Sequence, residues 1–195
     1  METKSEKIRC PWGSQEEFII QYHDKEWGLP VHNDTRLFEF LMLDCFQAGL
    51  SWSLILRRRE NFRRAFAGFD LQTLAGWGDH QIEQLMLDSS IIRNRRKINA
   101  AIINARVTLQ VQNEFGSLDQ YLWSFTGGLT IHNHWENITD IPAVTPEAEA
   151  MSRDLRKRGF QFTGPTVCYA VMQSIGMVND HVVSCFRYEE LLGKM

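Results

Sequence analysis

Apolar residues along this chain recur every three or four positions, the spacing that lines one face of a helix, and nowhere alternate as a strand requires. Phe18, Ile19 and Tyr22 mark a first helix, with Ser14 and Glu17 in the form of a capping box at its start. Leu37, Phe38, Leu41, Cys45 and Ala48 mark a second, opened by Asp34 or Thr35. A third starts at Ser51 or Ser53 and runs through a string of arginines to Phe66. Asp79 opens a short fourth carrying Ile82, Leu85 and Met86. Residues 94–113 form a long fifth, with Ile98, Ile102 and Ala105 on one stripe. Thr145-Pro146-Glu147 is a helix start with proline at the first helical position, and Gly159 is the matching stop. Another helix follows Gly164-Pro165 and ends at Gly176. Residues 126–144, with Gly127-Gly128 and little periodicity, read as a loop. The fold class is all-α, with residues 1–195 forming one globular domain or two closely joined helical lobes.

Composition narrows the setting. Hydrophobic residues make up 44% of the 195, enough for a substantial core. Four scattered cysteines do not resemble a disulfide framework, so a reducing cytosol is expected. The polar start METKSEKIRC is no signal peptide, and no apolar run reaches membrane-spanning length, so no membrane partner is expected. A net charge of −3 argues against indiscriminate coating of nucleic acid. The positive charge is nevertheless clustered, at Arg57–Arg59 with Arg63 and Arg64, at Arg93 to Lys97, and at Arg153 to Arg158. Such clusters can form one basic face; the third reads as a helix end, where the dipole favours cations.

Asp44 breaks the apolar pattern. It falls three residues after Leu41 and seven after Leu37, on the same helical face, so burial should push its carboxyl upward. A helix stop at Gly49, an exposed Leu50 and then Trp52 follow, with Trp12, Tyr22 and Trp27 not far upstream. Aromatic walls around a buried carboxylate suit a flat, electron-poor ring; an ordinary aromatic core has the same composition.

Two Cys/His pairs stand at opposite ends, Cys10 with His23 and His181 with Cys185. Two thiolates and two imidazoles are the ligand set of a closed structural zinc site. On a helix the His-x3-Cys pair would point one way, a turn apart. Four unrelated residues would give the same count, and the pairs alone do not decide.

The surrounding segments do. Arg9-Cys10-x-Trp12, Tyr22-His23-Asp24-x-Glu26-Trp27-Gly28, Gln47-Ala48-Gly49-Leu50-Ser51-Trp52, Arg158-Gly159-Phe160-x-Phe162-x-Gly164 and Val178-Asn179-Asp180-His181-Val182-Val183-x-Cys185 resemble the DNA-3-methyladenine glycosylase I family, in order over residues 9–186. The resemblance implies a helix-hairpin-helix fold, with the central motif at about 79–113, and a structural zinc on Cys10, His23, His181 and Cys185. It implies a pocket for a flipped base lined by Trp12, Tyr22, Trp52 and Gln47, a wedge at Gly49 and Leu50, and a DNA-gripping hairpin carrying Arg93, Arg95, Arg96 and Lys97. Lys97 would then touch phosphate rather than form a Schiff base. Asp44 stands where the family typically has glutamate, shorter by one methylene, or about 1.5 Å of reach. Ile19 replaces a frequent tyrosine, and Ser90 and Arg96 replace hairpin glycines.

The implied activity is monofunctional hydrolysis of the N-glycosidic bond of 3-methyladenine in double-stranded DNA, with water as nucleophile and Asp44 as the catalytic carboxylate. The setting implied is a monomer in a bacterial cytoplasm, on the nucleoid. Two other classes stay in view: a damage-binding protein of the same fold that hardly cleaves, because Asp44 replaces glutamate, and a zinc-dependent hydrolase of small molecules. Cys45 and Cys168 are expected to be uninvolved buried thiols.

Overall fold

In a computed structural model, which describes residues 7–14 and 16–193, eleven α-helices account for most of the chain. They are α1 (Glu17–Lys25), α2 (Asp34–Gln47), α3 (Trp52–Arg57), α4 (Arg59–Ala65), α5 (Leu71–Ala75), α6 (Asp79–Leu87), α7 (Arg95–Phe115), α8 (Leu118–Trp123), α9 (Pro146–Arg158), α10 (Pro165–Ser174) and α11 (Phe186–Leu192). No helix among the described residues is long and apolar enough to cross a membrane.

Helix α2 is the axis of the molecule. Every residue from Leu37 to Phe46 is buried, on all sides of the helix, so its apolar positions form a core rod rather than a stripe. Helices α3, α7, α8 and α10 pack around it. One continuous apolar core runs from Cys10 to Cys185. Cys45 and Cys168 lie within it as free thiols, as expected.

Local chemistry moves several predicted boundaries. The Ser14–Glu17 capping box does not form: Ser14 closes a 3-10 turn from Pro11, and Glu16 precedes α1 without capping it. Asn33 caps α2, its Oδ1 taking the Arg36 N–H at 3.1 Å. Asp34 instead reaches across to α8, accepting the Leu118 and Asp119 N–H groups. The predicted third helix is broken at Arg58, whose backbone (φ −102, ψ 3) leaves the helical range and separates α3 from α4. Ser51 caps α3 as read. Asn94 caps α7, Thr145 caps α9, and Gly159 ends α9 in the left-handed conformation. Helices α5, α8 and α11 were missed because five to seven residues are too few to show a period.

Two further corrections concern the C-terminal third. His181 to Ser184 form an extended stretch and turn ahead of α11, not a helix, so His181 and Cys185 do not meet through helical spacing. The predicted loop also contains β1 (Ile131–His132), which pairs in parallel with β2 (Val178–Asn179). Two-residue strands are too short to alternate.

Candidate base pocket and metal centre

Cys10, His23, His181 and Cys185 converge although 171 residues separate Cys10 from His181. All four are buried, and one ligand atom from each lies within 4.8 Å of the others. Three sulfur–nitrogen separations are 3.5 Å: Cys10 Sγ to His181 Nδ1, Cys185 Sγ to His181 Nδ1, and Cys185 Sγ to His23 Nε2. Bonds of about 2.3 Å to sulfur and 2.05 Å to nitrogen at the tetrahedral angle give a sulfur–nitrogen edge of about 3.5 Å. The cluster therefore has the dimensions of a tetrahedral metal site.

The outer nitrogens agree. His23 Nδ1 meets Asp24 Oδ1 at 2.8 Å and His181 Nε2 meets the Trp27 carbonyl at 3.1 Å. Each partner accepts only, so each of these nitrogens carries the proton, and the nitrogen turned to the centre is left with a lone pair. Asp24 is fixed in turn by Arg9, at 2.8 Å. The Cys185 thiol is pushed well below its ordinary value by the Cys10 thiol and by both imidazoles. A Cβ at Gly13 would lie 2.4 Å from the His23 ring, so only glycine lets the N-terminal turn close over the cluster.

The Cys/His cluster and the neighbouring cavity draw on the same chain segments. Trp12 follows Cys10 by two positions and Tyr22 precedes His23, so the segments that supply two ligands also supply two aromatic walls. Trp12 packs edge-on against His23, ring centres 5.1 Å apart. Tyr22 and Trp52 lie 5.4 Å apart, tilted by 55°. Together with Asp44, Gln47, Gly49 and the α10 residues Tyr169, Gln173 and Ser174, they bound a cavity of about 720 Å³. That is within the range of small-molecule sites and ample for a purine. The structure brings Trp12, Tyr22, Asp44, Gln47, Gly49 and Trp52 to one cavity.

Asp44 is its polar focus. It is 1% exposed, and its Oδ2 has no hydrogen-bond partner among the described residues. Burial pushes its carboxyl up to about 8, opposed only by the Ser174 hydroxyl. Ser174 Oγ in turn accepts from Tyr22 Oη at 3.1 Å. Gln47 is spent partly on its own loop, its Nε2 donating to the Leu50 carbonyl at 3.4 Å. Gly49 turns that loop with φ +81, a conformation that favours glycine, and Leu50 protrudes beyond it, 36% exposed.

Behind α10 stands Asp180, fully buried, with four donors. Asn133 and Trp135 reach one oxygen at 2.7 and 2.8 Å, and Tyr169 and Gln173 the other at 2.5 and 2.8 Å. The sequence alone does not reveal Tyr169, Gln173 and Ser174 as parts of this wall, nor Asp180 as the anchor behind it; the one local signal is the i, i+4 spacing of Tyr169 and Gln173 on α10. Nor does it reveal the opposite rim, Ile138 to Ala143, inside the predicted loop.

Helix α6, the turn Asp88–Asn94 and α7 form the hairpin. Its carbonyls are braced: Arg58 donates to Ser89 and Ser90 at 3.0 and 2.9 Å, and Asn61 to Ser90 at 3.1 Å. Arg93, Arg95 and Arg96 are exposed; Arg95 pairs with Glu83 at 2.7 Å, and Arg96 lies over the Phe162 ring. Lys97 is a correction: it points inward, 7% exposed, bonded to the Phe46 and Ala48 carbonyls, and offers no ammonium to phosphate. The arginines of 57–64 are also no open basic face. Arg59 and Arg63 bind buried Glu39 at 2.7 and 2.8 Å, and Arg57 binds Glu16. Burial would raise the Glu39 carboxyl, but these two guanidinium groups outweigh it and hold it low. The third cluster ends α9 as read, with Arg158 paired to Glu114 and Asp154.

Comparison with known proteins establishes the family. The methyladenine glycosylase family model matches residues 12–188. The chain is 43% identical over 180 residues to DNA-3-methyladenine glycosylase 1 of Escherichia coli, covering 92% of this chain and 96% of that protein. A crystal structure of 3-methyladenine DNA glycosylase I superposes with a TM-score of 0.90 at 42% identity, covering 92% and 98% of the two chains. The Staphylococcus aureus 3-methyladenine DNA glycosylase I, whose structure addresses 3-methyladenine recognition, superposes at 0.88 with 30% identity over 91% and 95%. The chain belongs to the DNA-3-methyladenine glycosylase I family, and is a hydrolase of that type.

Proposed function

We propose that this protein excises 3-methyladenine from double-stranded DNA by flipping the base into the Asp44 cavity and hydrolysing its N-glycosidic bond. The observation that carries the reading is an unpartnered, buried carboxylate oxygen inside an aromatic cavity. Methylation at N3 gives adenine a positive charge and weakens the bond to the sugar. Aromatic faces of Trp12, Tyr22 and Trp52 favour a cationic ring, and an ionised Asp44 accepts from its exocyclic amine. Water adds to the sugar carbon and gives up a proton to solvent as the glycosidic bond breaks; the bond's electron pair passes to the base, which leaves neutral. With so good a leaving group, no Schiff base is needed, and the chemistry is monofunctional. Extruding a lesion costs less than extruding a well-paired base, which adds selectivity. Leu50 fills the gap left in the duplex, and Arg93, Arg95 and Arg96 hold the backbone.

The group held by the four-residue cluster is zinc in this reading. All four positions are filled by protein atoms, so its contribution is to fasten Cys10-Pro11-Trp12 and Tyr22-His23 to the C-terminal segment. The same feature disfavours a small-molecule zinc hydrolase. The protein acts as a monomer and a single domain on bacterial DNA.

The test is chromatography of free bases released from methylated duplex. Release of 3-methyladenine supports the proposal. Lesion-selective binding without release would favour the damage-binding alternative, for which the shorter Asp44 is the reason.

A further inference from the structure

Lys97 is the third residue of α7, and its own N–H is taken by Asn94 Oδ1 at 3.2 Å. Its side chain crosses to the end of α2, where Nζ donates to the Phe46 carbonyl at 2.8 Å and to the Ala48 carbonyl at 2.6 Å. That helix end has few other supports. Ala48 leaves the helix at φ −47, ψ 113, and the last turn of α2 holds no basic residue of its own. The closing carbonyls of a helix need donors, and a cation there also offsets the negative end of the helix dipole.

The loop that follows carries Gly49 and Leu50. Its remaining hydrogen bonds are internal, from Leu50 N–H to the Gln47 carbonyl at 2.6 Å and from Gln47 Nε2 to the Leu50 carbonyl at 3.4 Å. Among the described residues, Lys97 is the one side chain from another element that is hydrogen-bonded to residues 46–50. It also sits one residue beyond Arg96, within the segment that presents the exposed arginines. The ammonium thus joins the DNA-facing turn of the hairpin to the base of the wedge.

We infer that Lys97 is a positioning residue: its two carbonyl contacts fix the wedge loop relative to the hairpin, so that seating the hairpin on the DNA backbone sets Leu50 at the depth needed to enter the duplex. The inference rests on the glycosylase reading. It separates Lys97 from its neighbours, because a lysine that touched phosphate would contribute to salt-dependent affinity, whereas one that ties two protein segments does not.

Lys97→Met keeps the length and the apolar stem while removing every donor; Lys97→Arg keeps charge and donors. Base release should be compared on methylated duplex and on the same methylated strand alone, where no stack has to be opened. The expected result for Lys97→Met is a loss of roughly tenfold to hundredfold on duplex, with the single-strand rate within about threefold of wild type. The slope of log affinity against log salt on duplex should stay unchanged, hydrogen exchange in residues 46–53 should quicken, and Lys97→Arg should recover most of the duplex rate. Equal losses on both substrates, or unchanged exchange, would overturn the inference. So would a slope reduced by about 0.9, the signature of one lost phosphate contact. If Lys97→Met does not fold, Lys97→Gln, which retains one donor group, takes its place in the same assays. Wild type that releases no base from either substrate would refute the glycosylase reading instead, and the exchange measurement would still decide whether Lys97 orders the loop.

Discussion

Asp44 and Asp180 are both hidden from solvent near α10, and they are held in opposite ways. Asp180 receives four hydrogen bonds, two on each oxygen, from two separate segments of the chain, 133–135 and α10. Asp44 has one oxygen with no partner, in a cavity large enough for a purine. A buried charge satisfied on every side locks neighbouring segments together; one left short of donors is a debit in the empty protein, and a ligand carrying a donor or a positive charge can cancel it. The Cys/His cluster belongs with Asp180, since each imidazole has its outer nitrogen fixed and its inner one aimed at the centre. Substitutions in the two regions should therefore fail differently, in stability on one side and in chemistry on the other.

The largest effect is expected at the Cys/His cluster, where zinc is proposed. Cys185→Ser should remove on the order of 4 kcal/mol or more of stability and loosen both terminal segments, seen in thermal unfolding and in lost metal content. Base release per folded molecule should fall far less. Asp180→Asn comes next: the new amide can accept at only one of its two ends, stranding donors from α10 or from the 133–135 segment. A cost of about 3 kcal/mol in denaturant unfolding is expected.

At Asp44 the sign reverses. Its carboxyl lies near 3.8 when the chain is unfolded and is pushed up to about 8 by burial in the fold. The folded state thus binds the extra proton, so stability is greatest below the unfolded value and declines as pH rises towards 8. Asp44→Asn should flatten that decline and leave the empty protein as stable as wild type or more so at pH 8, measured by unfolding midpoints across pH. The smallest effect is expected at Arg93, exposed and without a protein partner among the described residues. Arg93→Ala should leave stability within about 0.5 kcal/mol and lower the salt slope of duplex binding by about 0.9. An unchanged slope would remove Arg93 from the DNA interface.

The same contrast explains what could be read from the sequence. Chemistry declared by residue type was legible: the Cys/His set, the aromatics, and a carboxylate in an apolar run at Asp44. Long helices with strong stops, such as α7 and α9, were legible to within two residues. What escaped was decided by partners distant in the chain. Lys97 looks like its basic neighbours until α2 is packed beside it. Arg59 and Arg63 look like a surface cluster until Glu39 is buried between them. Asp34 resembles a cap for its own helix but serves α8, and His181 lies in an extended stretch and turn after β2 rather than on a helix. Ser174 carries no signal until Tyr22 and Asp44 are brought to its side.

The claim that matters most is that the unpaired carboxylate of Asp44 meets the flipped base. Its most direct test is kcat/KM for 3-methyladenine release from duplex across pH, for wild type and Asp44→Asn together. Wild type should gain activity as pH rises, with an apparent pKa near 8 as Asp44 ionises in the free enzyme. Asp44→Asn should lack that limb and run about tenfold to hundredfold slower on the plateau, the worth of one charge-assisted hydrogen bond. A wild-type profile flat through pH 8, or an Asp44→Asn variant that releases the base at the wild-type rate, would contradict the account.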